Sequence, residues 1–446
     1  MLFGFWLRLR DQRSLGADAT VTAATNVAMA AISFCTGIAA ARMLGPLGRG
    51  ELAAIQTTPS VIATFAMIGM PEALVYFSAR EPGQSGRYLK TGIVLALVAS
   101  VPFMLVAWLS MPFLIHAQSV KVISDARWYL MIAPIWAIVA MMYHPLRGIG
   151  DFLSWNVLRL AVPIAAVAVL VVAYLTSHMT PTFVAFGTLL SYALFFLPCG
   201  FVVGRRLTGP FQLDCSKITL MLRYGLPCLM TGLPQILNLR VDQMLMAAFM
   251  PPRDLGLYVI AVAWSGAVSP VLNSIGATLL PAVASIDDQG HATARMSEGV
   301  RMTAMLALVV CPGVAAAAPF AIPYLFGAQF QGSVLTAVIL VPAAGILGLN
   351  FSLQESIRGL GYPYAVLRAE LVGLIVTGIL LAALLRPLGI IGAAIASLLG
   401  YSAVTISMLV AAKQVCNISI AGLIIPRAAE VRRGILRIAQ LAGVSA

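Results

Sequence analysis

The chain has 446 residues, 60% hydrophobic and only 10% charged, with a mean hydropathy of +0.95. Soluble domains carry about 25% charged residues, so composition excludes a water-soluble fold and leaves a polytopic membrane protein. The net charge of +12 reads as a topology signal and implies no nucleic acid.

The opening "MLFGFWLRLRDQR" has too short an apolar run for a signal peptide, and no small-residue cleavage site closes it. Residues 1–19 read as a cytoplasmic interfacial collar, with Arg8, Arg10 and Arg13 at the headgroups. A spanning helix needs about 20 mostly apolar residues. Six such runs form an N-lobe over 20–204, at about 20–42, 52–79, 90–115, 126–146, 154–176 and 181–204. A cytoplasmic linker, 205–223, leads to a C-lobe over 224–413. Its runs lie at about 224–249, 255–284, 300–325, 333–357, 363–385 and 388–412. Residues 414–446 resume helical patterning: Val431, Ile435 and Ile438 repeat among Arg427, Arg432, Arg433 and Arg437, as in a basic amphipathic helix on the inner leaflet. "NIS" at 417–419 is a sequon by spelling only, since this tail is placed on the cytoplasmic side.

Orientation follows from the basic residues of the connectors. With the N-terminus cytoplasmic, only Arg42, Arg49, Lys121, Arg127, Arg253 and Arg386 fall outside, and Arg240 lies within a span. The other 21 of the 28 Lys and Arg residues fall inside. A bacterial inner membrane protein with both ends cytoplasmic is expected.

Two stretches punctuate each half alike. "RMLGPLGRGELAAIQT" (42–57) sets over "AFMPPRDLGLYVIAVA" (248–263), with Pro46 on Pro252 and Gly50 on Gly256. "HPLRGIGDFLSWNVLRL" (144–160) sets over "ESIRGLGYPYAVLRAEL" (355–371), with Arg147-Gly148-Ile149-Gly150 on Arg358-Gly359-Leu360-Gly361. The marks join the first to the second and the fourth to the fifth span of each half. The fold class is therefore all-α: twelve transmembrane helices in two pseudo-symmetric six-helix lobes of one topology. Parallel repeats of this kind are a transporter architecture, with the site between the halves.

Catalysis is disfavoured. The four histidines (His116, His144, His178, His291) show no ligand spacing, and no large loop carries acidic clusters. The six cysteines are scattered in mostly apolar runs, so no disulfide, metal site or cofactor is read.

"RVDQMLMAAFMPPRDLGLYVIA" resembles the seventh-span segment of Wzx-type polysaccharide flippases, in which an aspartate precedes apolar residues, a short turn and a Gly-Leu-Tyr element. "ARMLGPLGRGELA" resembles the first-span exit of the same family, part of the multidrug/oligosaccharidyl-lipid/polysaccharide exporter (MOP) superfamily, which includes the MATE transporters. The resemblance implies translocation of an undecaprenyl-pyrophosphate-linked oligosaccharide across the bacterial inner membrane by alternating access. It implies a lipid-linked substrate, a cavity that is often cationic, membrane lipids around it, and polysaccharide polymerase machinery as a partner. The lipid II flippases of the group usually have fourteen helices, for which this chain has no room. The drug-exporting branch usually carries acidic residues in its N-lobe, so Glu72 keeps a drug or cation antiporter as the alternative.

The charged residues of the spans are the site candidates. Thr231, Gln235, Asn238 and Asp242 are spaced +4, +3 and +4, so they form one helix face toward either the cavity or a neighbouring helix. Arg240 points about 160° away from Asp242 on the wheel. It is read as a ligand contact or as half of an ion pair with Glu72 or Glu355. Pro227 and Pro234 are expected to permit a bend upstream. Asn26, in a weakly polar first span, is read as a packing or a cavity contact. Glu72 is read as a coupling carboxylate or as the partner of Arg80 or another neighbour. His144 and Glu355 each stand three residues before an arginine, and Glu355 is placed to pair with Arg358. Arg147 and Arg358 are either charged collars or a cytoplasmic loading site for pyrophosphate, whose oxygens suit the guanidinium fork.

Overall fold

The computed structural model describes residues 15–286, 288–416 and 420–424. The arginines of the collar, the sequon and the basic helix of the tail lie outside the described residues. The helices in chain order are α1 (Leu15–Ala66), α2 (Met70–Arg80), α3 (Ser85–Leu114), α4 (Val120–Tyr129), α5 (Ile132–Gly148), α6 (Phe152–Leu175) and α7 (Pro181–Arg206). The second half continues with α8 (Ser216–Asn238), α9 (Val241–Phe249), α10 (Pro252–Gly266), α11 (Ser269–Ala284), α12 (Gln289–Phe326), α13 (Val334–Gly359), α14 (Pro363–Cys416) and the short α15 (Ile420–Ile424). No strand occurs among the described residues.

Each of the twelve expected spans falls on this helical framework. Among the described residues, eight helical stretches, with α4 and α5 as one of them, are long and apolar enough to cross a membrane, or nine with the bent pair α10–α11 taken as one span. Two of them, α1 and α14, each hold two expected spans, divided by Gly45 (φ 67°) and Gly389 (φ 55°), in the left-handed region that glycine alone enters cheaply. Apolar side chains unable to find water have an obvious solvent here. On α3, Val98, Val101, Leu105 and Leu109 recur at helical spacing and stand more than half exposed, a face that belongs against lipid.

The second, fourth, seventh and eighth spans are each built of two helices. The second breaks at Ile68 and Gly69 (φ 45° and 71°), the seventh at Leu239–Arg240, and α10 and α11 meet at 54°. The bend expected from Pro227 and Pro234 is not at either proline: α8 runs through both, and the chain breaks beyond Asn238. There the Asp242 carboxylate accepts the Gln243 N–H at 2.7 Å, holding one of the amides that a new helix start leaves free.

The repeat is visible in backbone detail. Gly150 donates to the Arg147 carbonyl and Asp151 to that of Leu146; Gly361 donates to Arg358 and Tyr362 to Ile357. Both glycines have positive φ (79° and 89°), so each lobe ends its fourth span in the same Schellman-type turn. At the opposite end, a β-carbon on Gly50 would collide with the Pro252 carbonyl, and one on Gly256 with the Pro46 carbonyl. The paired Pro and Gly positions of the sequence are thus the place where the two lobes cross, in reciprocal contact.

This end is sealed. One continuous apolar core there contains Ala41, Ile55 and Tyr129 of the N-lobe with Tyr258, Phe326 and Val341 of the C-lobe. Arg42 donates to the carbonyls of Leu325 (2.7 Å) and Tyr324 (2.5 Å), and Gln118 to those of Ala247 (2.9 Å) and Met250 (3.1 Å). At the other end the core divides in two, around Met70, Tyr88 and Met141 and around Met296, Ile357 and Met408. There the lobes still meet on one seam, where Gly69 and Gly225 approach backbone to backbone and Tyr76 stacks on Tyr224 at 4.3 Å. The connector 207–215 is fastened to the N-lobe: Thr208 donates to the Pro82 carbonyl (2.6 Å), and Lys217 reaches Glu81 (3.3 Å).

Candidate functional site

A cavity of about 560 Å³ lies between the lobes. From the N-lobe, Arg49, Gln56, Ser60 and Thr64 follow at helical spacing on one face of α1 beyond the Gly45 break, with Ser33 before it. From the C-lobe come Arg240 and Gln243, at the break between α8 and α9, and an apolar wall of Val259 and Val262 from α10. The cavity therefore has an arginine on each lobe, and none of its lining residues is acidic. Among the described residues, neither guanidinium forms a hydrogen bond or an ion pair, and Arg49 Nε is buried without a partner. Charge at a span's centre costs roughly 2.5–3.5 kcal/mol per residue on insertion scales. Among the described residues, neither arginine's cost is offset by a carboxylate in the cavity lining.

The polar stripe of the seventh span turns the other way, into the C-lobe. Asp242, 4% exposed, accepts the Tyr258 hydroxyl at 2.6 Å. Asn238 donates to the Glu370 carboxylate at 2.8 Å and to its carbonyl at 3.1 Å, while its own oxygen has no partner. Gln235 pairs with the Gln354 amide (3.1 and 3.2 Å), and Thr231 bonds within its own helix. Arg240 lines the cavity while Asp242 is bonded to Tyr258 inside the C-lobe, and the two form no ion pair among the described residues.

Neither partner considered for Arg240 is beside it. Glu355 pairs with Arg358 at 3.2 Å, as its spacing allows. Glu72 lies exposed in the first turn of α2, with Arg147 as its cationic neighbour. Arg80 instead donates to Tyr76 at 2.6 Å.

A second polar cluster ties the first span to the fifth. Arg159 donates to Asn26 (3.0 Å) and Asn156 (3.3 Å), Asn156 donates to Thr22 (2.9 Å), and the guanidinium lies 4.2 Å from the Trp155 ring centre. Arg147 also lies over the Trp155 ring, at 5.4 Å, and His144 stacks on Tyr143 near both arginines. Arg159 and Glu370 each stand nine residues past the turn glycine of their lobe. Each holds an asparagine of the lobe's first span, Asn26 or Asn238, so the lobes carry the same contact with opposite charge.

Residues 15–287 match the sequence profile of a family described as "Polysaccharide biosynthesis protein". The chain belongs to that family. Its fold is shared with solved membrane transporters. The lipid II flippase MurJ in an inward closed conformation aligns with a TM-score of 0.74 at 12% identity, over 88% of this chain and 87% of that one. An inward-facing multidrug resistance MATE transporter of the MOP superfamily gives 0.70 at 16% identity, over 89% and 98%. The Vibrio cholerae MATE transporter VcmN gives 0.61 at 17% identity, over 90% and 99%. No curated protein's sequence matches this one significantly.

Within this polysaccharide biosynthesis fold, Arg240, left open in the sequence between a ligand contact and an ion pair, lines the cavity, whereas Gln235, Asn238 and Asp242 do not. Arg49 is the residue that sequence reasoning misses. Counted with the outer connectors, Arg49 instead lines the interlobe cavity, because the second span begins at Pro46 and its first turns already lie between the lobes. The repeat itself carries the missing signal: Arg49 corresponds to Leu255, which is 1% exposed. An arginine where the sister lobe buries a leucine is not a connector residue. Glu370 and Arg159 are missed too, each looking like an ordinary charge near a span end.

Proposed function

We propose that this family member is a flippase that moves an undecaprenyl-pyrophosphate-linked oligosaccharide across the bacterial inner membrane by alternating access. The single observation that carries the reading is the pairing of Arg49 and Arg240, one from each lobe, around a cavity without a carboxylate. Guanidinium stays charged and presents a rigid fork of donors to phosphate oxygens. Each charge-assisted bond of this kind is worth about 1.5–3 kcal/mol, so the two bonds of a fork offset what each arginine costs in the membrane. The glycan stays in the polar cavity while the prenyl chain remains in the bilayer. By the positive-inside reading the sealed end is periplasmic, so the state described is the one that loads from the cytoplasm. Arg147 and Arg358, at the cytoplasmic ends of their lobes, are the first cations the diphosphate meets.

An anion held by both arginines bridges the lobes, and so favours the states in which they are close. A ligand shifts such an equilibrium only by its differential affinity for the two states, and a site split across the moving interface supplies that difference. The rival reading, a MATE-like antiporter for cationic drugs, needs carboxylates in the cavity. Asp242 and Glu370 are instead turned into the C-lobe and bonded there.

The test is glycan export in a strain lacking its own copy. Arg240→Leu is expected to remain abundant in the membrane and to lower the surface glycan, with Arg240→Lys recovering part of it. Normal export by Arg240→Leu, or its disappearance from a membrane blot, removes the functional claim.

A further inference from the structure

A second pocket, of about 280 Å³, opens inside the N-lobe and shares Ser33, Arg49, Gln56 and Ser60 with the interlobe cavity. Its remaining walls come from the first, second, fourth, fifth and sixth spans. They present Thr36, Tyr129, Thr188 and Tyr192 among small apolar residues such as Gly37 and Ala166. Apart from Arg49 at the junction, no lining residue is charged. The polar groups are hydroxyls and one amide, with Gln56 Nε2 3.4 Å from the Tyr129 hydroxyl. The tyrosine rings are held in place by other aromatics: Tyr129 packs edge-on against Phe186 (6.3 Å), and Tyr192 lies 5.2 Å from Trp136.

This chemistry selects a ligand. A cation finds no carboxylate there, and a phosphate finds one guanidinium only at the mouth. Thr188 is already bonded to the Val184 carbonyl, but a purely apolar chain would leave the Gln56 side-chain oxygen and the Ser33 and Tyr192 hydroxyls without partners. A neutral, hydroxyl-rich ring meets donors and acceptors on its edges and aromatic carbon on its faces. The volume lies just below the ~300–1,000 Å³ range of ligand pockets, which suits one ring and not a chain. The shared Arg49 fixes where the ring is attached: directly beside the anion that Arg49 and Arg240 hold.

We propose that the N-lobe pocket is a sugar subsite that receives the sugar linked directly to the pyrophosphate, so that the protein reads the first sugar of its substrate. This rests on the lipid-linked glycan reading above. Gly37 offers a direct handle, because a β-carbon built there meets nothing within 4 Å. Gly37→Phe therefore fills the pocket without displacing backbone and leaves both arginines in place.

The experiment measures binding to the purified full chain in lipid nanodiscs. The probes are undecaprenyl pyrophosphate, bare or carrying one glucose, galactose or N-acetylglucosamine. The wild type is expected to bind at least one glycosylated form tenfold or more tightly than the bare lipid. Gly37→Phe should bind the bare lipid within twofold of wild type and lose the sugar-dependent gain. Thr188→Val and Tyr192→Phe should each lose three- to tenfold of that gain, which keeps the test decisive if the phenylalanine variant does not fold. A gain that survives these substitutions, or equal binding of all four lipids by the wild type, overturns the subsite while leaving the pyrophosphate site standing. Failure of the wild type to bind even the bare lipid overturns the underlying reading instead.

Discussion

Gly50 and Gly256 meet backbone to backbone where the lobes cross, each too close to the other lobe's proline carbonyl to admit a side chain. The contact is the sequence repeat turned upon itself, and it closes the cavity at one end. Overpacking such a site costs about 1–3 kcal/mol, and the cost falls on the closed state alone. Gly50→Val is therefore expected to open this end, with each 1.4 kcal/mol shifting the population about tenfold. Disulfide trapping between Arg42→Cys and Leu325→Cys, in a background without other cysteines, should fall accordingly. Undiminished trapping would mean that the crossing does not set the closure.

Asp242 and Tyr258 hold the seventh span to the eighth inside the C-lobe, at 2.6 Å. Tyr258→Phe removes a donor from a buried carboxylate, a loss of about 1–3 kcal/mol. Asp242→Asn keeps most of the bonding and should be milder. Thermal unfolding in detergent is expected to fall in that order, with substrate binding per folded molecule unchanged. A Tyr258→Phe protein that is fully stable but defective in export would show that the pair belongs to the transport site.

These two pairs mark what the sequence discloses. Spans, lobes and their matched turns are written in apolar runs and in Pro46, Gly50, Gly150 and their partners, because covering lipid and turning tightly admit few residue types. Arg240 stands out for the same reason, as a charge in an apolar run. The direction of the Thr231–Gln235–Asn238–Asp242 stripe is not written there. Periodicity says that four residues share a face and is silent on which neighbour they meet, and the partners Tyr258, Gln354 and Glu370 are distant in sequence. Arg49 stayed hidden because charge at a span boundary usually belongs to the headgroups.

The linker's attachment is expected to depend on pH. The Tyr88 hydroxyl, then Lys217, hold the Glu81 carboxyl below the usual carboxylate range, and hydrogen bonds from Ser216, then the charge of Arg87, do the same for Asp214. A depressed carboxylate contributes stability above its unfolded value, near ~4, and loses it as pH falls through the folded value. Proteolysis of the 207–215 connector should therefore be slow at pH 7 and accelerate only below about pH 4. Glu81→Gln should cut faster at pH 7 and lose part of that acid dependence. A rate indifferent to both would deny the attachment any role.

Orientation is tested by reporters. A cytoplasm-active fusion after Ala446 and a periplasm-active fusion after Ser177 are both expected to give signal. Silence from either contradicts the assignment of the sealed end to the periplasm.

The central claim is that Arg49 and Arg240 together hold the diphosphate, and one binding measurement addresses it. Undecaprenyl pyrophosphate and undecaprenol share a tail and differ in the charged group. The wild-type protein in nanodiscs is expected to prefer the pyrophosphate by about 100-fold or more, two charge-assisted contacts at about 1.5 kcal/mol or more each. Arg49→Leu and Arg240→Leu should each remove about tenfold of that preference, and the double variant nearly all of it. An undiminished preference in the double variant, with both proteins folded, would contradict the claim.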